Sequence, residues 1–325
     1  MIEAMTILAG ILGLWIGTEI AVRTGGEIGR RLGLSEMVLG LTVFAIGTDI
    51  SELAVSIEAS IARLEGGDTS GLVVGNALGS VLAQGGLVLG VLAFAHALDF
   101  SDHDENGGPD RNAIRNAFAW LVATFGLWAV AGDGVVSRLE GAALVLAYAV
   151  YLGAMLRTRV PSESGDEVAP ARAFDLLRLA LGLVFGLALV VGSADLVVEH
   201  TIGLATRTGI PPTAIGLFGV GLGTSLPELA VSVGAIARGR PALSVGNVIG
   251  SNVFDLMIPI GVAGAISPLE IGRGALLFDL PMVTLFAGFF AFRLAAAKAF
   301  GVRDAILLLV FYFGFVLFRL GTFAG

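Results

Sequence analysis

What most constrains this chain is a succession of apolar runs, each long enough to cross a bilayer. A hydrocarbon core of about 30 Å requires about 20 residues of helix. Ten stretches meet that measure: roughly 5–22, 36–61, 70–97, 113–132, 138–156, 174–199, 211–237, 242–266, 274–292 and 303–321. Charged residues make up only 14% of the 325, against about 25% in a soluble domain. This excludes a soluble globular enzyme, a disordered chain and a nucleic-acid binder. The 47 glycines are about twice the usual share of ~7%, and glycine lets membrane helices approach closely. There is no cysteine, so disulfides and thiolate chemistry are excluded. No basic segment precedes the first apolar run, which is therefore expected to remain as a helix rather than be cleaved as a signal.

Ten spans make the loops alternate sides. That alternation assigns 14 of the 19 Lys and Arg residues to one side and 5 to the other. The positive-inside rule then places both termini outside the cytoplasm of a multi-pass cell-membrane protein. Polar stretches at Asp99–Arg111 and Arg157–Arg172 read as loops, and the second divides the spans five and five. The expected organisation is a first repeat at 1–157 (spans 1–5), a cytoplasmic linker at 158–172 and a second repeat at 173–325 (spans 6–10). An odd number of spans per half inserts the halves upside down relative to one another.

The halves also match in sequence. GLTVFAIGTDISELAVSIE at 40–58 aligns with GLFGVGLGTSLPELAVSVG at 216–234, placing Gly47 on Gly223, Thr48 on Thr224 and Glu52 on Glu228. GNALGSVLAQ at 75–84 aligns with GNVIGSNVFD at 246–255, placing Asn76 on Asn247 and Ser80 on Ser251. Spans 1 and 6 match loosely, with Glu19 near Asp195. A single glycine in a span is ordinarily a packing device. The same glycine-interrupted pattern in both halves, beside an acid each time, points to a secondary transporter with its substrate site near the midplane where the repeats meet.

Glu52 and Glu228 fall near the middle of their spans. An ionised carboxylate there costs at least ~2.5–3.5 kcal/mol unless it is paired. Spans 2, 3, 7 and 8 carry no Lys or Arg at that depth. Two acids related by the repeat also repel each other, and a bound cation or proton relieves both costs. The bland alternative is a protonated, hydrogen-bonded structural Glu, which suits one isolated acid better than a symmetric pair. The surrounding donors are oxygens: Thr48, Asp49, Ser51, Ser80 and Gln84 in one half, and Thr224, Ser225, Ser251 and Asp255 in the other. Hard oxygen ligands suit Ca²⁺ or Na⁺ rather than zinc or copper. Glycine and Pro227 loosen the helices, so the carbonyls of Ala45, Gly47, Gly221 and Gly223 could also reach an ion. Irregular backbone is tolerated at depth only where it lines a cavity.

These motifs resemble the cation/Ca²⁺ antiporter superfamily, particularly prokaryotic Na⁺/Ca²⁺ exchangers. Gly223-Thr224-Ser225-Leu226-Pro227-Glu228 and Gly246-Asn247-Val248-Ile249-Gly250-Ser251-Asn252 look like its signatures, and the resemblance covers nearly the whole chain. It implies an all-α polytopic membrane protein of ten transmembrane helices in two inverted five-helix repeats, with helices 2, 3, 7 and 8 discontinuous. It implies alternating access, with those four spans as a fixed ion-binding core and spans 1 and 6 sliding across it. The implied ligands are Glu52, Glu228, Thr48, Thr224, Ser225, Ser80, Ser251 and Asp255, with carbonyls of Ala45 and Gly221. The first half departs from the pattern: Asp49 stands where Ser is usual, Ser51 for Pro, Val81 for Asn, and Gln84 for Asn or Asp. Gln84 still offers a carbonyl oxygen, and Asp49 brings the acids to four.

The expectation is therefore an antiporter exchanging Na⁺ for Ca²⁺, with proton or other cation coupling as the alternative and a channel as a more distant one. It is not expected to be an enzyme and needs no cofactor. Its partners are the lipid bilayer and the transported ions, and the sequence leaves the oligomeric state open, with a monomer sufficient. Other signals are discounted. Asp102–Gly107 begins like an EF-hand loop, but position twelve would be Ala113 rather than the required Glu. Glu58 is expected to be interfacial, Glu19 and Asp195 to serve either the ion path or local bonding, and Asp279 has no repeat counterpart. His96, His103 and His200 lack metal-ligand spacing, and Phe311-Tyr312-Phe313 is expected to face lipid.

Overall fold

The computed structural model describes residues 2–67, 69–94, 111–157, 173–207, 223, 225–296 and 300–324. Among these residues, eight helices are long and apolar enough to cross a membrane, and nine if a bent pair counts as one span. The linker at 158–172, the acidic loop around Asp102, and His96 and His103 lie outside the described residues. Span 7, expected from 211, is described as helix over Leu226–Ala237. The chain divides into two compact units, residues 1–48 with 151–248, and residues 49–150 with 249–325.

In the first unit, α1 (Ile2–Leu32) packs along α9 (Ala173–Arg207). The contact depends on glycine. A Cβ at Gly17 would lie 2.9 Å from the Gly186 carbonyl, and one at Gly186 would lie 2.6 Å from the Ala21 amide. In lipid, where burial of apolar area drives helix pairing only weakly, such backbone approach is a main source of association. Against this pair sit α2 (Glu36–Leu39), a π-helical turn (Gly40–Phe44), α3 (Ala45–Thr48), α10 (Leu226–Ala237) and the start of α11 (Pro241–Ile266). Ala21, Val22, Leu39, Phe44, Leu187 and Val231 form their shared core. Leu8, Leu12 and Trp15 of α1 are exposed, as a lipid-facing surface requires.

Both long helices outrun their expected spans. α1 has 31 residues and α9 has 35, and at 1.5 Å per residue α1 alone is about 46 Å long. Hydropathy marks where the hydrocarbon ends, but backbone hydrogen bonding continues past it. Glu27 holds Arg30 at 2.8 Å and Arg31 at 2.6 Å, one turn on, which supports the helix beyond its apolar stretch.

The second unit holds α4 (Ile50–Leu64), α5 (Ser70–Leu82), a π-helical turn (Ala83–Val88) and α6 (Leu89–Phe94). It also holds α7 (Arg111–Ala131), most of α8 (Arg138–Arg157) and the rest of α11. A π-helical turn (Ala275–Asp279), α12 (Leu280–Ala295) and α13 (Val302–Ala324) complete it. Strands β1 (Val135–Val136) and β2 (Leu269–Glu270) pair antiparallel, with Val135 opposite Glu270. Trp120 is fully buried, its ring 6.0 Å from that of Phe290. The expectation for the aromatic run holds for Phe311 and Phe313, which are exposed, and fails for Tyr312, which turns inward onto Gly86.

Two of the four expected discontinuities are corrected. Span 3 continues as helix through its π turn, and span 8 is one uninterrupted helix, Pro241–Ile266. A glycine inside a helix costs only about 1 kcal/mol, which packing readily offsets. The best apolar window of each of these spans is 78% buried, against 22% for α8. Span 2 does break, bending by 45° between Thr48 and Ile50.

Candidate ion-binding site

The break in span 2 is built in steps. The π turn at Gly40–Phe44 widens the helix, α3 ends at Thr48, and Asp49 caps α4 with φ −85° and ψ 9°. Ser225, at the equivalent repeat position, caps α10 with φ −95° and ψ 3°. The two halves thus share one non-helical backbone conformation. Each then places its glutamate, Glu52 or Glu228, in the first turn of the new helix. Amide groups in that turn lack intrahelical acceptors and favour negative charge.

Burial of these residues is complete or nearly so. Thr48, Asp49, Glu52, Ser80, Gln84, Glu228, Ser251 and Asp255 are all 0% exposed, and Ser225 is 2% exposed. Among the described residues, the buried polar side chains include Asp49, Glu52, Glu228 and Asp255, and no lysine, arginine or histidine.

In the second unit, Asp49 and Glu52 each bring a carboxylate oxygen within 4.8 Å of the other. Ser51 donates its hydroxyl to Glu52 Oε2 at 2.9 Å. Gln84 Nε2 donates to Ser80 Oγ at 3.0 Å and to Asp255 Oδ2 at 3.1 Å, tying spans 3 and 8 together. Gln84 Oε1 and Ser251 Oγ are buried without a hydrogen-bond partner among the described residues. The same holds in the first unit for Ser225 Oγ and Asn247 Oδ1. An unsatisfied buried polar atom costs about 1–3 kcal/mol, and a cation drawing on several such oxygens would recover it. The Thr48 hydroxyl donates to the carbonyls of Phe44 at 3.1 Å and Ala45 at 3.2 Å. Thr224 and Gly221 lie outside the described residues.

Two asparagines that the sequence reading aligned but did not assign to the site also matter. Asn76 Nδ2 donates to the Glu52 main-chain carbonyl at 3.3 Å. Asn247 Nδ2 donates to the Glu228 carbonyl at 3.5 Å and to Ser232 Oγ at 3.2 Å. Each holds the turn that carries a glutamate, and the Gly-Asn pair shared by both halves was the available signal. Pro259, inside α11, is a second missed feature. It has no N–H for the Asp255 carbonyl four residues earlier. The equivalent stretch of the first half is the π turn at Ala83–Val88, so both halves loosen the same segment by different means.

The remaining acids are placed elsewhere. Glu19 pairs with Arg238, and Asp195 and Glu58 are exposed. Asp279 pairs with Arg319 of α13 at 2.8 Å, a partner the repeat could not reveal. His200 Nδ1 bonds the Leu196 carbonyl at 3.0 Å.

The described residues define a helical, multi-span membrane protein with carboxylates and neutral oxygens in its interior. The sodium/calcium exchanger protein family model matches residues 2–157 and 178–321. The chain belongs to that family, whose members are transporters. It is similar to the sodium/calcium exchanger MaX1 of Methanosarcina acetivorans, 29% identical over 351 residues and 97% of each chain. It is also similar to MJ0091, an uncharacterized membrane protein of Methanocaldococcus jannaschii, 32% identical over 77% of each chain. A solved structure of the sodium-calcium exchanger NCX_Mj, soaked with 10 mM Na⁺ and zero Ca²⁺, matches with a TM-score of 0.80 and 25% identity. It covers 97% of this chain and 98% of that one.

Proposed function

We propose that this chain exchanges Na⁺ for Ca²⁺ by alternating access, through ten spans arranged as inverted repeats at 1–157 and 173–325, joined by the linker at 158–172. Both termini lie outside the cytoplasm. The observation that carries the reading is a buried set of four carboxylates, Asp49, Glu52, Glu228 and Asp255, with no buried basic side chain among the described residues. In this reading Glu52 and Glu228 supply the charge for a common ion. Asp49, Thr48, Ser80, Gln84, Thr224, Ser225, Ser251 and Asp255 supply further oxygens, together with the carbonyls of Ala45 and Gly221. Spans 2, 3, 7 and 8 stay fixed, and spans 1 and 6 slide across them.

Exchange follows from competition. An empty site holds net negative charge in a low dielectric, which disfavours crossing. Either ion neutralises that charge and lets the sliding pair move. The test is ⁴⁵Ca²⁺ uptake into proteoliposomes under Na⁺, K⁺ and pH gradients imposed one at a time. An outward Na⁺ gradient alone should drive uptake, and uptake indifferent to Na⁺ would overturn the assignment.

Proton coupling is the second reading, favoured by the closeness of the Asp49 and Glu52 carboxylates. Two acids that near share a proton readily. Uptake driven by a pH gradient without Na⁺ would establish it.

A further inference from the structure

Exchange leaves unused a basic pocket near the end of α1. Arg23, Glu27, Arg30 and Arg31 line a cavity of about 480 Å³ with Arg240, which precedes α11. Asp175 lies 3.7 Å from Arg31, and Glu36 lies 3.6 Å from Arg240. Four guanidinium groups therefore face three carboxylates, an excess of positive charge. Arg23 is exposed and forms no ion pair among the described residues. Arg240 is fixed by donating to the Val22 carbonyl at 3.2 Å, and its guanidinium lies over Gly26, where any Cβ would collide with it.

The pocket continues a lipid-facing stripe. Leu8, Leu12, Trp15 and Ile16 are exposed, and their helical spacing puts them on the face of α1 that carries Arg23, Glu27 and Arg30. Glu19, on the same face, is occupied by Arg238. Ile16 and Arg23 are about 10 Å apart along the axis. One face thus presents an apolar surface, then a cluster of guanidinium groups at the basic-rich side of the chain. Guanidinium forks match phosphate oxygens, and basic pockets between membrane helices suit anionic headgroups.

We propose that this pocket binds the phosphodiester headgroup of an anionic membrane phospholipid, with an acyl chain along the Leu8–Ile16 face. The site requires both parts, a phosphate for the arginines and a chain for the stripe.

Trp15, 66% exposed and about 12 Å from Arg23 along the axis, serves as the reporter. Its fluorescence is measured in bilayers containing acyl-brominated phosphatidylglycerol or acyl-brominated phosphatidylcholine, with Trp15→Phe identifying its share of the signal. The glycerol lipid should quench Trp15 at a concentration at least fivefold lower. Arg23→Gln with Arg30→Gln should abolish that preference. Arg303→Gln, which removes another exposed arginine outside the pocket, should leave it intact. Equal quenching by both lipids would overturn the proposal, as would equal losses in Arg303→Gln, which would indicate general charge attraction. Displacement by 10 mM inorganic phosphate would also overturn it, showing a site for a free anion. Thermal unfolding of each variant separates lost binding from lost folding. None of these readings depends on ion flux, so the proposal and the exchange function can fail separately.

Discussion

Asp49 and Ser225 occupy equivalent positions in the two repeats, cap their helices with nearly the same φ and ψ, and differ by a full charge. On the spans that follow, the order is reversed: the first half carries neutral Gln84 where the second carries Asp255. Within these spans each half therefore buries two acids, Asp49 with Glu52 and Glu228 with Asp255, while the buried Asp304 of α13 is paired with Arg293. The backbone break is a property of the repeat, whereas the second charge has moved from one span to another. The loosening of spans 3 and 8 follows the same logic, with a π turn in one and Pro259 in the other. Geometry is held in common and chemistry is varied within it.

The comparison can be broken most decisively at the shared glutamates. Glu52→Gln and Glu228→Gln should each reduce Ca²⁺ flux at least a hundredfold in proteoliposomes without lowering the unfolding temperature. A variant of either that transports normally would end the equivalence of the halves. Next in size is the displaced charge. Asp49→Ser should weaken Ca²⁺ affinity about tenfold, equivalent to about 1.4 kcal/mol. Adding Gln84→Asp should restore most of that loss by returning the acid to the position it holds in the second half. Failure of the double variant would show that Asp49 has a role of its own, and Ca²⁺ affinity at several pH values would reveal whether that role is proton binding.

The asparagines sharpen the comparison at a smaller scale. Asn76→Ala or Asn247→Ala removes a second hydrogen bond from a carbonyl that its own helix already pairs, a cost of about 0.5–1.5 kcal/mol in stability. Asn247→Ala should be the more damaging, because Asn247 also holds Ser232. Thermal denaturation of the pair ranks them, and the reverse order would contradict the bonding described. Smallest is Pro259→Ala, which returns a donor to the Asp255 carbonyl. It should raise the unfolding temperature by a few degrees and slow transport about twofold. Unchanged stability would mean that this carbonyl is already satisfied.

Much of this was legible in the sequence, for definite reasons. Hydropathy located eight of the spans, nine with the bent pair, because lipid exposure demands it, and the repeat singled out Glu52 and Glu228 because no single half explains two buried acids. Helix ends were less legible. Apolar content stops near residue 22, but Glu27, Arg30 and Arg31 carry α1 to Leu32. The resemblance implied broken helices at spans 3 and 8, and both stay helical, with 78% of each apolar window buried. The Asp279–Arg319 pair was hidden because it joins α13 to the turn before α12 and has no symmetric copy. Tyr312 was misread because flanking aromatics masked its inward turn onto Gly86.

Equilibrium binding of ⁴⁵Ca²⁺ to the purified protein, titrated with Na⁺, speaks most directly to the idea that one acid-lined site serves both ions. Saturable Ca²⁺ binding should be displaced fully by Na⁺ and should disappear in both Glu52→Gln and Glu228→Gln. Ca²⁺ bound undiminished at saturating Na⁺, or retained at wild-type affinity by either variant, would contradict it.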